Sequence, residues 1–225
     1  ATDTGVAAEV DRLLAKPEVK ANVTKMFERL FHLERVNSVT KAPTVKEFTP
    51  ALASSMHASA VAFLDDFLWK SGAKLPDLLT SRKAFVDAAL APIYGVPAPA
   101  GGGLKEVMLP ESQRSGLLTQ AATMTIEATP DGSSVVHRGV FVVRELLCFL
   151  PPPPAADDLA MAEALKKAEP TERGRAEKRA MVVRCGQCHA FFDPMGVNFE
   201  HYDTLGRYRT AIATPNGDVP VDASW

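Results

Sequence analysis

Apolar residues recur at helical spacing along most of this chain. Val6, Val10, Leu13 and Leu14 predict a first helix that Pro17 interrupts. A second stripe runs through Val19, Val23, Met26, Phe27, Leu30 and Phe31, with His32 beside it as a helix-surface residue. Residues 37–53, with Asn, Ser, Thr and two prolines, read as a loop. Met56, Ala60, Phe63, Leu64, Phe67 and Leu68 then form one amphipathic face. The pattern continues as helix through Leu75–Leu79 and Phe85–Leu90 until Pro92, and the PAPAGGG run at 97–103 reads as a boundary. It divides the chain into a partial helical domain, 1–97, and a second domain, 104–225.

Beyond the boundary, an apolar segment opens at Arg114–Thr119 and reaches Ile126, and Thr129-Pro130-Asp131-Gly132 predicts a turn. Val140–Leu150 is apolar apart from Arg144 and Glu145, with Cys148 expected as a small buried hydrophobe. The prolines at 151–154 must end any helix there. Residues 157–168 and 171–184 read as helices. The second carries Arg173, Arg175, Lys178, Arg179 and Arg184, either a solvated face or a patch that docks a partner or pairs with carboxylates. Asn216-Gly217, between Tyr208–Ala213 and Val219–Val221, predicts a hairpin whose prolines confine its strands to edges.

Composition narrows the function. With 46% apolar and 23% charged residues the chain is of ordinary globular type, and a net charge of −2 gives no broad footprint for nucleic acid. No apolar run is long enough to span a membrane, and three cysteines are too few for a disulfide scaffold. The start, Ala1-Thr2-Asp3-Thr4, has no basic or apolar leader, so any signal peptide is expected to be cleaved already or to lie on a longer precursor, and no cap or turn closes the end at Trp225; both features suggest part of a larger polypeptide.

Two cysteines carry the chemistry. Residues 185–189 read Cys-Gly-Gln-Cys-His, the attachment pattern for c-type haem. Two intervening residues set the thiols about one helical turn apart, so both can reach the vinyl edge of one porphyrin. The following imidazole then lies beneath the iron. Cys185 and Cys188 would be thioether anchors and His189 the proximal ligand. A redox pair and a zinc site remain alternatives from the motif alone, although zinc would need further ligands and Cys148 has no partner cysteine nearby. Asp193-Pro194 is expected to stop the motif helix, and Phe191 and Phe192 to cover a macrocycle.

The stretch from Cys185 to Arg209 resembles the haem motif of multi-domain c-type cytochromes of planctomycetes and myxobacteria. The matching positions are Cys185, Cys188, His189, Asp193, Pro194, Gly196, Glu200, Tyr202, Asp203, Gly206, Arg207, Tyr208 and Arg209. Arg114–Thr119, Arg138-Gly139 and Leu146-Leu147-Cys148 resemble the upstream part of the same domain, and residues 8–95 the end of the helical domain before it. The resemblance implies one haem c, a mainly α fold with a cytochrome-c-like haem-bearing helical domain and a short terminal β-hairpin, and export to the periplasm or cell surface. The haem is expected where the helix at 171–192 meets the segment 113–150.

The second axial ligand decides the chemistry, since a closed site suits electron transfer and an open one admits small molecules. Met195 and Met124 are the candidates, with Met108, His137 and His201 weaker. Arg207 and Arg209 are candidates for the haem propionates, or else pair with Asp203 and Glu200. The expected function is single-electron transfer to a redox partner protein. Alternatives are a haem enzyme of peroxidase or oxidase type and a haem-bearing subunit of a larger assembly.

Overall fold

The computed structural model describes residues 2–69 and 73–225. The chain begins with α1 (Asp3–Leu14) and α2 (Pro17–Leu30), parted at Pro17, and a 3-10 turn at Leu33–Asn37. Next come α3 (Pro50–Trp69), α4 (Asp77–Thr80), β1 (Lys83–Val86), α5 (Ala91–Tyr94) and β2 (Lys105–Met108). A second 3-10 turn (Leu117–Thr119) leads to α6 (Ala121–Ile126) and α7 (Val135–Glu145). Then follow α8 (Ala156–Ala168), α9 (Glu172–Met181), α10 (Val183–Val197), β3 (Ala211–Thr214) and β4 (Gly217–Pro220). The described residues are mainly helical, with two small antiparallel strand pairs, one of them a C-terminal hairpin.

Helices start where a side-chain oxygen meets an unpaired N–H group. Thr2 accepts from Gly5 N–H, Ser134 from His137 N–H, and Thr171 from Gly174 N–H. The central helix is α3, which buries Leu52, Met56, Ala60, Phe63 and Leu64. That core continues through Leu33 and Val36 and on to Leu117, Ala121 and Leu205, so it draws on both sides of the 97–103 segment. The strands β1 and β2 pair antiparallel across that same segment.

Several local expectations change. Phe85 lies in β1, not in a helix. Ala84 and Val86 are fully buried while Lys83 and Phe85 are half-buried, an alternation of period two. Asp87 ends the strand, its carboxylate accepting from Ala89 and Leu90 N–H at 3.0 and 2.9 Å. The helix expected over 171–184 is two helices, because Val182 is extended (φ −92°, ψ 111°). Conversely, α10 passes through Pro194 to Val197: the proline removes one donor, but the last turn packs Val197 against Val135 and Ala176. Cys148 is exposed in a left-handed conformation (φ 54°), since α7 has ended and the chain turns away. His32 is likewise left-handed, and its Nε2 lies 3.1 Å from Glu145. In the hairpin Thr214 pairs with Gly217, which makes Pro215-Asn216 the connection, one residue earlier than expected.

α10 lies on α7 and α9. Glycines allow its close approach to α7. A Cβ on Gly139 would fall 2.0 Å from the Phe192 carbonyl oxygen, and one on Gly196 would fall 1.8 Å from that of Val135. Both obstacles are backbone and cannot swing aside. Gly139→Ala and Gly196→Ala are each expected to cost about 3 kcal/mol, the upper end for overpacking, measured by denaturant unfolding.

The loop before α3 is tied to the end of α6 by Lys41, whose Nζ donates to the Thr125 and Thr129 carbonyls at 2.9 and 3.2 Å. Burial lowers the Lys41 pKa from 10.5 to about 8; Arg138 acts in the same direction and Asp203 against it. Between those values the unfolded chain keeps a proton that the folded chain has lost, so this group's contribution to stability rises with pH across the window. Lys41→Met is expected to flatten that rise in the thermal midpoint measured from pH 8 to 10.5.

Candidate functional site

Residues three and four apart on a helix are surface neighbours, so α10 places Cys188 and His189 beside Cys185. The thiols are free, Cys185 half-buried and Cys188 exposed. Cys185 Sγ lies 3.8 Å from Met161 Sδ on α8, a helix that buries none of its own side chains. The Phe149 and Phe191 rings meet edge-on at 4.7 Å. Large apolar side chains stay exposed along this part of the chain, among them Leu147, Leu150, Met181, Val183 and Phe191. Phe192, by contrast, is buried with its ring 4.7 Å from that of His189.

His189 is held from behind. Its Nδ1 is 3.0 Å from Asp193 Oδ1, one turn along α10. Asp193 is 1% exposed, and its Oδ2 accepts from Arg179 Nε at 3.0 Å, with Nη2 at 2.9 Å. A carboxylate only accepts, so Nδ1 donates, and in the neutral ring that leaves the lone pair on Nε2. Asp193 and Pro194 were legible as a motif match, but the buried Arg179 was hidden in a basic run. The rest of that run pairs at half-buried or exposed positions, Arg173 with Glu177, Arg175 with Glu172, Lys178 with Glu169 and Arg184 with Asp158. Met161 had no signal in the sequence.

The other sequence candidates are spread more widely. Met195 is 37% exposed on the last turns of α10, whereas Met124 is buried in α6, where Gly206 approaches its Cβ. Met108 is exposed on β2. His137 is exposed at the start of α7, and desolvation by the groups around its ring lowers its pKa against the pull of Glu172. His201 donates from Nδ1 to the Arg209 carbonyl at 2.9 Å and stacks on Tyr208. Arg207 donates from Nε to Asp203 at 2.7 Å and also reaches Glu47. Arg209 donates to the Glu200 carbonyl and to Ser133 Oγ at 3.0 and 2.9 Å, with the Glu200 carboxylate 3.4 Å away.

Most of the remaining motif residues build the frame. Arg138, 1% exposed, donates to the carbonyls of Phe199, Tyr202 and Asp203, each at 2.8 Å. Burial lowers its pKa to about 10, resisted by Glu200. Burial raises that of Glu200, opposed by Arg138 and Arg209. Arg114 lies between the rings of Tyr94 and Tyr202, 4.9 and 4.8 Å from their centroids. It donates to the carbonyls of Thr119 and Gly206 at 2.7 and 2.6 Å. Asp203 closes the next turn by accepting from Leu205 and Arg207 N–H, and Gly206 is left-handed (φ +73°) against Ala121.

Among the described residues, no group of three or more His, Cys, Asp or Glu is arranged to hold a metal ion, as a protein-only zinc site would require. None of the helices is long and apolar enough to cross a membrane, among the same residues. The chain is thus mainly helical, with its Cys-x-x-Cys-His helix set beside buried arginines. Compared with known families, residues 1–96 match PSD4, a protein of unknown function (DUF1592), and residues 114–212 match PSCyt3, a protein of unknown function (DUF1588). No curated protein and no solved structure matches the chain.

Replacing Arg138 by Met keeps the bulk but strands the carbonyls of the 199–203 segment. Arg138→Met is expected to lower stability by at least about 3 kcal/mol in denaturant unfolding, because several buried acceptors lose their donor together.

Proposed function

We propose that this chain is an exported c-type cytochrome segment that holds one haem covalently and passes single electrons to a partner protein. The observation that carries the reading is the face of α10: two free thiols one turn apart beside an imidazole whose Nδ1 is already taken. A haem needs this donor set, two sulfurs for its vinyl edge and one ring nitrogen for its iron. The exposed apolar side chains around the motif fit a site that would cover a macrocycle. The order of the two matched domains supports the resemblance to the planctomycete-type cytochromes.

In this reading Cys185 and Cys188 would hold the haem through thioethers to its vinyl groups, and His189 Nε2 would ligate its iron. Asp193 and Arg179 keep the His189 ring oriented, and the exposed Phe191 and Phe149 rings would offer apolar cover to the group. The group supplies a one-electron couple. Attachment on the export side of the membrane places the protein in the periplasm or on the cell surface.

Mass spectrometry of the denatured chain, made with a haem-ligation system, is expected to give about 616 Da above the peptide mass. Cys185→Ala together with Cys188→Ala should abolish the increment. A wild-type chain at the bare peptide mass sinks the reading. An unchanged reduced spectrum on adding carbon monoxide is expected of an electron carrier, whereas a shifted spectrum would favour an enzyme with an open site.

A further inference from the structure

We infer that Asp193, clasped by Arg179, is a positioning residue that sets the electron-donating strength of His189 and thereby lowers the reduction potential of the attached group. The inference rests on the haem reading and deepens it. Three observations lead to it. The Asp193 carboxylate is 1% exposed, so the Nδ1–H···Oδ1 contact at 3.0 Å is shielded from water. The acceptor carries full charge rather than the partial charge of a carbonyl, and charge-assisted hydrogen bonds are the stronger kind. Its second oxygen is held by Arg179, itself 8% exposed, from the neighbouring helix α9. The carboxylate therefore cannot turn away, and its orientation is fixed by packing between helices.

A carboxylate pulling on Nδ1–H leaves more electron density on Nε2, and a more basic ligand favours the higher oxidation state of a metal. Arg179 acts in the opposite direction. Its positive charge draws on the carboxylate and limits how much density reaches the ring. The pair is thus a graded setting, with one group lowering the potential and the other restraining that effect. Carboxylate and guanidinium also tie α9 to α10, and this structural role must be separated from the electronic one.

The test uses the full chain with haem attached, and compares midpoint potential, haem content by mass and thermal unfolding. Asp193→Asn, which keeps the shape and an accepting oxygen but loses the charge, should shift the potential upward. Asp193→Glu should return it toward the wild-type value. Arg179→Gln should shift it downward, opposite to Asp193→Asn. Loosening of the helix pair alone would reduce thermal stability in both variants without opposite shifts in potential. Haem-bearing variants with an unchanged potential, or with shifts of one sign, overturn the inference. Should neither variant fold, the wild type decides. With 15N-labelled histidine, the His189 Nδ1–H should exchange slowly with deuterium oxide, and rapid exchange overturns the inference. A wild-type chain at bare peptide mass overturns the haem reading and this inference together, whereas the other adverse outcomes sink only the inference.

Discussion

The crossing of α7 and α10 is the constraint on which the rest depends. At Gly139 and Gly196 each helix presents bare backbone to a carbonyl of the other, closer than any side chain would permit. The position of α10 is therefore set by two missing Cβ atoms more than by the shape of its side chains. Arg138 adjoins Gly139 on α7 and reaches the carbonyls of the loop that follows α10. One short stretch of α7 thus fixes both the motif helix and its exit. Cys185, Cys188 and His189 stand apart from those two close approaches, the thiols free and the imidazole held by Asp193.

The frame around the site is built from buried arginines. Arg114, Arg138 and Arg179 are each less than 9% exposed. Removing such charges from water is costly unless every direction of the guanidinium finds an acceptor. Here the acceptors are main-chain carbonyls at Arg114 and Arg138 and a carboxylate at Arg179, while Arg138 Nε and Arg179 Nη2 are buried without a hydrogen bond among the described residues. Arginine suits this task because its planar fork can serve several acceptors at fixed angles, as a lysine ammonium cannot. The frame also joins the parts of the chain on either side of the 97–103 segment. The Arg114 guanidinium is stacked between Tyr94 and Tyr202, and Tyr94 hydroxyl donates to Gln120 while accepting from Ala121 N–H.

The resemblance in the chain divides along this line. Arg138, Gly139, Gly196, Glu200, Asp203, Gly206, Arg207 and Arg209 serve the architecture, through close backbone approach, turn closure or buried charge. Cys185, Cys188 and His189 lie on the accessible side of α10, and Asp193 belongs to both groups. It joins α9 to α10 and at the same time orients His189. A sequence pattern that mixes the two kinds of residue cannot be read directly as a list of ligands.

Periodicity determined that α1, α2 and α3 are helices, because each repeats its apolar positions near 3.6 residues, and α8 was legible between breakers, whereas 140–150 was read only as an apolar run and the helix there, α7, spans Val135–Glu145. Spacing alone determined that Cys185, Cys188 and His189 share a helix face. Short apolar runs misled: the pattern at Phe85–Leu90 reads as helix, and pairing with β2 makes Phe85 part of a strand. The fate of Pro194 was also tertiary, since the turn it weakens is held by Val135 on another helix. So was that of Arg179, one basic residue among several, which found a buried carboxylate fourteen positions away. Local sequence carries the period and the breakers. Which charge is buried, and against what, depends on the separation between helices, and at this site two glycines define that separation.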